Sequence, residues 1–400
     1  MIPSLAVPIK YIDILYALGN SLRNKNAVSE FQDVFSQYIE CKYAFATSSG
    51  TAALHVLLTA YGLKNNDEII IPAYTCESLG RLLIDMGYFV KFVDVDTETY
   101  NICIEDLQQK ISKNTKAVIA VHMFGNPCEM DAILEISHNN GSIVIEDAAQ
   151  AMGAQYGNKK VGTIGDAGFF SLGVGKPITS IGGGLIVTDD REIADKSSQI
   201  IGTFKEISNI SKLTILIKMV MLPLIQNRIS YSLIYDLIES RRIKRRACLK
   251  ECKCYDDVKY KYTNIQACLG RMQLSHLEEF NRTRYKNAKY LLKKLAYIPN
   301  LKTPKSPIKG KSIYLRLPIW MKNITFDQRN GLVKELERAG IDASIAYPNS
   351  LPHFFSNADT DFLNTGELID KTITLPTHPL VRTNDLIKII KILKKHADFD

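Results

Sequence analysis

SIVIEDAAQAMGA, residues Ser142–Ala154, is the stretch on which the fold turns. Its β-rich start, Ser142–Ile145, runs straight into Glu146 and Asp147, so two carboxylates stand at the carboxyl end of a predicted strand. The same texture extends in both directions. Asp67–Pro72 (DEIIIP), Val90–Val93 and Ala117–Val121 read as strands before it, Phe169–Ser171 and Leu185–Val187 after it, with helical stretches such as Leu79–Met86 between them. This alternation from Ala44 to Thr188 predicts an α/β fold in which a parallel sheet is wrapped by helices, a three-layer α/β/α domain. Ligands of such sheets bind outside the carboxyl ends of the strands, so the polar residues there are the candidates for chemistry.

The rest of the 400-residue chain has a different texture. Leu213–Ile238 is dominated by Leu, Ile, Met, Val and Tyr, and the basic run RRIKRR follows at Arg241–Arg246. A helical period returns over Asn264–Leu295, and from Ser312 to Asp400 strands and helices alternate on a smaller scale, among them Ile313–Leu317 and Asp327–Ala339. The predicted organisation is an N-terminal arm and large domain over 1–205, an insert over 206–255, and a long helix with a small C-terminal α+β domain over 256–400. A hydrophobic share of 46% with 23% charged residues excludes a disordered or collagen-like chain. No internal repeat is present.

Three motifs carry chemistry. SSGTAAL, Ser48–Leu54, places small residues and a glycine at a helix start, where backbone N–H groups and the helix dipole suit an anion. The bland alternative is a plain N-cap. Asp147 could hold a protonated ring nitrogen as its counter-charge, or could simply cap the next helix. In Asp166–Gly184, DAGFFSLGVGKPITSIGGG, the one lysine, Lys176, is flanked by Val174, Gly175, Pro177 and Ile178. Apolar surroundings lower an amine pKa and make it nucleophilic toward an aldehyde; the alternative is a lysine on a mobile exposed loop. Together, an anion cradle, a carboxylate and a lysine near a serine are what pyridoxal phosphate requires, one partner each for phosphate, ring nitrogen and aldehyde.

On these residues the chain resembles the DegT/StrS-type sugar aminotransferases, pyridoxal-phosphate enzymes of the aspartate-aminotransferase fold (fold type I). The resemblance runs through SSGTAALH, IIIPAYT, VKFVDVD, AVHMFGNPCEMDAI, IEDAAQAMGA, FFSLGVGK, IQACLGRMQLSHLEEF and ITLPTHPL. It implies that Lys176 carries the cofactor and shuttles a proton at the reacting carbon. It implies further that Asp147 keeps the pyridine nitrogen protonated, that Gln150 lies beside the ring near its hydroxyl, and that Gly50, Thr51 and Ser171 hold the phosphate. A homodimer is implied, with the partner subunit completing each site, as is amino transfer from glutamate to a keto sugar on a nucleotide or lipid carrier for surface glycans. Family members that dehydrate sugars carry histidine at the Schiff-base position; the lysine here favours transamination.

The chain departs from the pattern at three places. Cys76 stands where an aromatic ring usually stacks on the cofactor. Ile181-Gly182-Gly183-Gly184 replaces Gly-Glu-Gly-Gly, and Lys259 aligns with the asparagine that reaches the neighbouring subunit's phosphate. A lysine suits a phosphate as a point charge. Cys76 and Gly182 leave room for a rival reading, a non-catalytic cofactor-binding regulator at a membrane; a sugar dehydratase is the other alternative, which Lys176 disfavours.

Of the formal charge of +8, most is local: Arg241–Lys253 holds seven basic residues and one acidic, Glu251. Lys218, Pro223, Gln226, Asn227 and Arg228 interrupt the apolar insert, so two amphipathic helices broken at Pro223 are expected rather than a span. They would pack on the protein or its partner, or lie peripherally on the membrane through 213–246, next to the basic run. Nucleic acid is not expected, because no binding motif accompanies the run. The cysteines read as reduced thiols of a cytoplasmic protein, and Met1–Lys10 contains no signal-peptide core. Cys248, Cys252 and Cys254, with Cys268 as the sole candidate fourth ligand, do not match a zinc spacing, and no metal is expected. His122, His353 and His378 lie in segments resembling substrate-side loops.

Overall fold

The computed structural model describes residues 1–248, 259–355 and 362–396. One seven-stranded sheet forms from β1 (Tyr43–Thr47), β2 (Glu68–Pro72), β3 (Phe89–Val93), β4 (Thr115–Val121), β5 (Ile143–Asp147), β6 (Ala167–Ser171) and β7 (Gly184–Thr188). Its order is β1-β7-β6-β5-β4-β2-β3. The strands are parallel except β7, which runs antiparallel to both β1 and β6. The reason is the connection: a parallel return needs a crossover, usually a helix, and β6 instead returns through the loop 172–183. A fully parallel sheet, as the sequence pattern predicts, therefore gives way to one reversed strand beside Lys176.

The helices are α1 (Tyr11–Arg23), α2 (Ala27–Ile39), α3 (Gly50–Ala60), α4 (Glu77–Asp85), α5 (Ile104–Lys110), α6 (Met130–Asn139) and α7 (Arg191–Gly202) in the first half. There follow α8 (Asn209–Gln226), α9 (Arg228–Cys248), α10 (Asn264–Leu295), α11 (Phe326–Arg338), α12 (Leu351–Phe355), α13 (Leu363–Lys371) and α14 (Thr383–Lys395). Successive side chains of a strand point to opposite faces, and the core divides accordingly. Ile69, Ile71, Ile119 and Ile145 pack with Leu54 and Leu57 of α3 on one side. Ile70, Val118 and Val144 pack with Leu107 of α5 and Ile133 of α6 on the other, completing three layers.

The C-terminal domain folds α11, α13 and α14 against an antiparallel sheet of β8 (Leu301–Lys302), β9 (Arg316–Met321) and β10 (Thr372–Pro376). The strand expected over Ile313–Leu317 begins later, at Arg316. Tyr314 has φ +50, which stops extended pairing, and Ile313 and Leu315 instead donate to Gly125 and Phe124 of the large domain. The expected break at Pro223 also moves. α8 continues through Pro223 to Gln226 because Met219 and Leu222 are buried on the body, and the chain turns at Asn227, whose Oδ1 accepts from the Ile229 N–H at 3.0 Å.

Candidate active site

Two adjoining cavities open where β1, β2, β5 and β6 end. The first, about 410 Å³, is lined by Ser49, Gly50, Thr51, Ser171, Asp147 and Lys176, with Cys76, Ser78 and Val174 at its rim. The second, about 350 Å³, shares Cys76, Ser78, Val174 and Lys176 and adds Glu77, Gln150, Arg316 and Tyr347. Lys176 thus faces both.

Each group of the first cavity is set by local structure. Ser49 caps α3, its Oγ accepting from the Ala52 N–H at 3.0 Å. Gly50 opens the helix against Ser171, and a Cβ there would come within 3.1 Å of the Ser171 Cβ. The α3 N-terminus, with its unpaired N–H groups and dipole, therefore lies beside two hydroxyls, Thr51 and Ser171. Asp147 ends β5 and is buried, with Oδ1 accepting from the Ala149 N–H at 3.0 Å. Burial pushes its carboxyl pKa up, and the Lys176 ammonium opposes that rise.

The loop carrying Lys176 is tied down rather than loose. The Leu172 carbonyl accepts from Thr179 Oγ1 and from the Ser180 and Gly182 N–H groups, while the Leu172 N–H donates to Gly183. From α10, buried Arg284 donates to the Pro177 carbonyl at 2.7 Å. Gly183, at φ +112, has no room for a side chain: a Cβ would lie 2.4 Å from the Tyr262 ring.

Of the residues singled out by sequence, Lys176, Asp147, Gly50, Thr51, Ser171 and Cys76 come together in the first cavity. Gln150 lines only the second, where its amide donates to the Tyr347 hydroxyl at 3.0 Å. Lys259 is exposed on its own chain, near His55, and does not line either cavity. Gly182 lies outside both, towards Gln266. The three histidines are also elsewhere. His122 is buried under the sheet, His378 is buried against Pro3, and His353 sits on α12, so none lines either cavity. Cys252 and Cys254 lie outside the described residues, Cys248 ends α9, and Cys268 is buried in the core.

Sequence reasoning missed Ser49, Ser78, Arg316 and Tyr347. Ser49 had a signal, a capping serine before a small-residue helix. Arg316 and Tyr347 come from the C-terminal half, more than a hundred residues after Lys176, and no local pattern marks them.

The model of the DegT/DnrJ/EryC1/StrS aminotransferase family matches residues 15–209 and 240–394. The chain belongs to this family. It is a pyridoxal-phosphate-dependent aminotransferase of the three-layer type. It is 33% identical to the uncharacterized protein MJ1066 of Methanocaldococcus jannaschii over 377 residues, covering 92% of this chain and 89% of that one. It is 29% identical to the GDP-perosamine synthase of Caulobacter vibrioides, covering 92% and 89%. Among solved structures, the GDP-4-keto-6-deoxy-D-mannose-3-dehydratase of Escherichia coli with bound hydrated PLP superposes with a TM-score of 0.76 at 25% identity, covering 98% and 99%. The first cavity fits the cofactor on its own chemistry: a helix N-terminus and hydroxyls for a phosphate, a buried carboxylate for a ring nitrogen and an amine for an aldehyde. When bound, pyridoxal phosphate supplies a reactive carbonyl and an electron-withdrawing ring.

Proposed function

We propose that the enzyme moves an amino group from glutamate to a keto sugar carried on a nucleotide, in the assembly of surface glycans. The observation that carries this reading is the second cavity, where Arg316 and Lys176 share the lining with the polar groups of Gln150, Ser78 and Tyr347. A guanidinium suits the carboxylate of an amino-acid donor, and the amide and hydroxyls suit sugar hydroxyls. At about 350 Å³ the cavity is at the small end of ligand pockets, roughly 300–1,000 Å³, so a nucleotide would extend beyond it. The relationship to GDP-perosamine synthases supports a sugar acceptor.

In this reading the α3 N-terminus, Thr51 and Ser171 bind the phosphate, and Asp147 holds a proton on the ring nitrogen. Lys176 Nζ delivers and removes the proton at the reacting carbon. The Arg284 contact keeps the lysine loop in place, and Lys259 reaches the site of a second subunit in a cytoplasmic homodimer. A half-reaction tests the proposal. Glutamate should bleach the visible absorbance of the holoenzyme with one equivalent of 2-oxoglutarate formed, and a nucleotide-linked keto sugar should restore it. If no amino acid bleaches the absorbance, the reading fails.

A further inference from the structure

Residues 210–239 fall between the two stretches that the family model matches, so most of α8 and the first half of α9 are an addition to the common scaffold. The addition is poorly buried. Of α8 only Met219, Leu222 and Gln226 are buried, whereas Ile210, Leu213, Ile217, Met221 and Leu224 are exposed. Their spacing of three and four residues places them on one helix face. Along α9, Ile229, Leu233 and Leu237 recur every fourth residue, and Leu233 is 81% exposed. α1, which packs beside α8, adds exposed Ile12 and Leu15. Of the expectations for this insert, packing on the protein or its partner and lying on a membrane, packing on the protein's own core does not account for these stripes.

α8 is long and apolar enough to span a membrane, but buried Met219, Leu222 and Gln226 seat one side of it on the body. Directly after it, the Arg228 guanidinium binds Asp385 at 3.0 Å and 2.5 Å. Tyr231 donates to Asp342 and Tyr235 to Glu337, at 2.5 Å and 2.6 Å. These bonds fix the start of α9 to the C-terminal domain and leave Ile229, Leu233 and Leu237 exposed. Charge selects the occupant. From Asn209 to Arg246 there are eight basic residues and two acidic, five of the basic ones within Arg241–Arg246. A second copy of the face would bring like charge against like; an anionic surface complements it.

We propose that α8 and α9, flanked by α1, dock the enzyme on an anionic phospholipid bilayer, with the apolar stripes at the acyl boundary and the basic run at the headgroups. Flotation of the holoenzyme with phosphatidylcholine vesicles, with and without phosphatidylglycerol, tests this. The protein should float only with phosphatidylglycerol, and high salt should release it. Ile217→Ser with Leu233→Ser should lower the bound fraction at least about tenfold, through lost apolar burial. Arg245→Glu with Arg246→Glu should lower it by a similar factor, about tenfold or more, through lost headgroup attraction. Turnover on soluble substrate should stay unchanged in both, which shows that they fold. No flotation of the wild type at low salt, or equal flotation of the variants, would overturn the proposal. So would light scattering that shows the apolar variant falling from dimer to monomer, since the face would then join two copies of the chain.

Discussion

Glu146 and Asp147 are consecutive residues of β5 whose carboxylates serve opposite faces of the sheet. Asp147 faces the cavity that also holds Lys176. Glu146 faces away, fully buried, and accepts from the Gly162, Ile164 and Gly165 N–H groups at 2.5–2.7 Å. It also accepts from His122 Nε2 at 2.9 Å. Because His122 Nδ1 accepts from the Cys128 N–H at 3.0 Å, Nε2 is the nitrogen that carries the proton. One carboxylate closes a turn and the other is left for chemistry.

The pair should respond oppositely to neutralisation. Glu146→Gln leaves buried N–H donors facing an amide and should cost about 2–4 kcal/mol of stability, measured by urea denaturation. Asp147→Asn removes a carboxylate whose pKa burial has pushed up. The cofactor-free protein should be no less stable, while turnover falls by about 10²–10⁴. Equal stability losses in both variants would contradict this division.

Among the described residues, Lys176 is the one amine shared by both cavities. Lys176→Ala should abolish turnover, by at least about 10⁴-fold, and remove the visible absorbance of the bound cofactor. Circular dichroism should show an intact fold.

Arg316 stands at the far side of the second cavity, its guanidinium 3.2 Å from the Ser344 hydroxyl. On the proposal that glutamate is the donor, Arg316→Gln should raise its KM by roughly 10–100-fold, the worth of a charge-assisted hydrogen bond. The absorbance spectrum should not change. An unchanged KM would show that the donor carboxylate is read elsewhere.

Cys76 lines both cavities and lies 3.1 Å from the Ser78 hydroxyl, at the position where the resemblance implies a stacked ring. Cys76→Tyr should tighten cofactor retention by about 2–10-fold, the range of an aromatic stacking contact. Equilibrium dialysis against pyridoxal phosphate measures it, and weaker binding would mean that the site has no room for a ring.

His378 supplies a pH dependence. Burial pulls its pKa down to about 4, and Nε2 lies 2.8 Å from the Pro3 carbonyl, to which it donates. The unfolded chain takes up this proton first. The stability contributed is therefore present above the ordinary histidine pKa, about 6.5, and is lost as pH falls toward 4. His55, also held near 4 by burial, acts with the same sign. Stability should drop by about 2 kcal/mol per site between pH 7 and 5. His378→Gln should flatten the urea midpoint against pH by about one such step.

The sequence by itself determined the layered fold and the polar residues that line the first cavity. Strand alternation and helix period are local, and Gly50, Thr51, Asp147, Ser171 and Lys176 sit within short motifs at strand ends, so their spacing already carries the chemistry. It singled out Asp147 rather than Glu146 but not what Glu146 does, because the turn at Gly162–Gly165 that takes up the second carboxylate is brought to it only by the fold. Only the tertiary structure decided that β7 runs backwards, that Arg284 pins the lysine loop, and that Arg316 and Tyr347 close the second cavity. It also decided that one face of the apolar insert is not covered by the chain's own core. These are contacts between segments far apart in the chain, fixed by packing, and no local pattern encodes them.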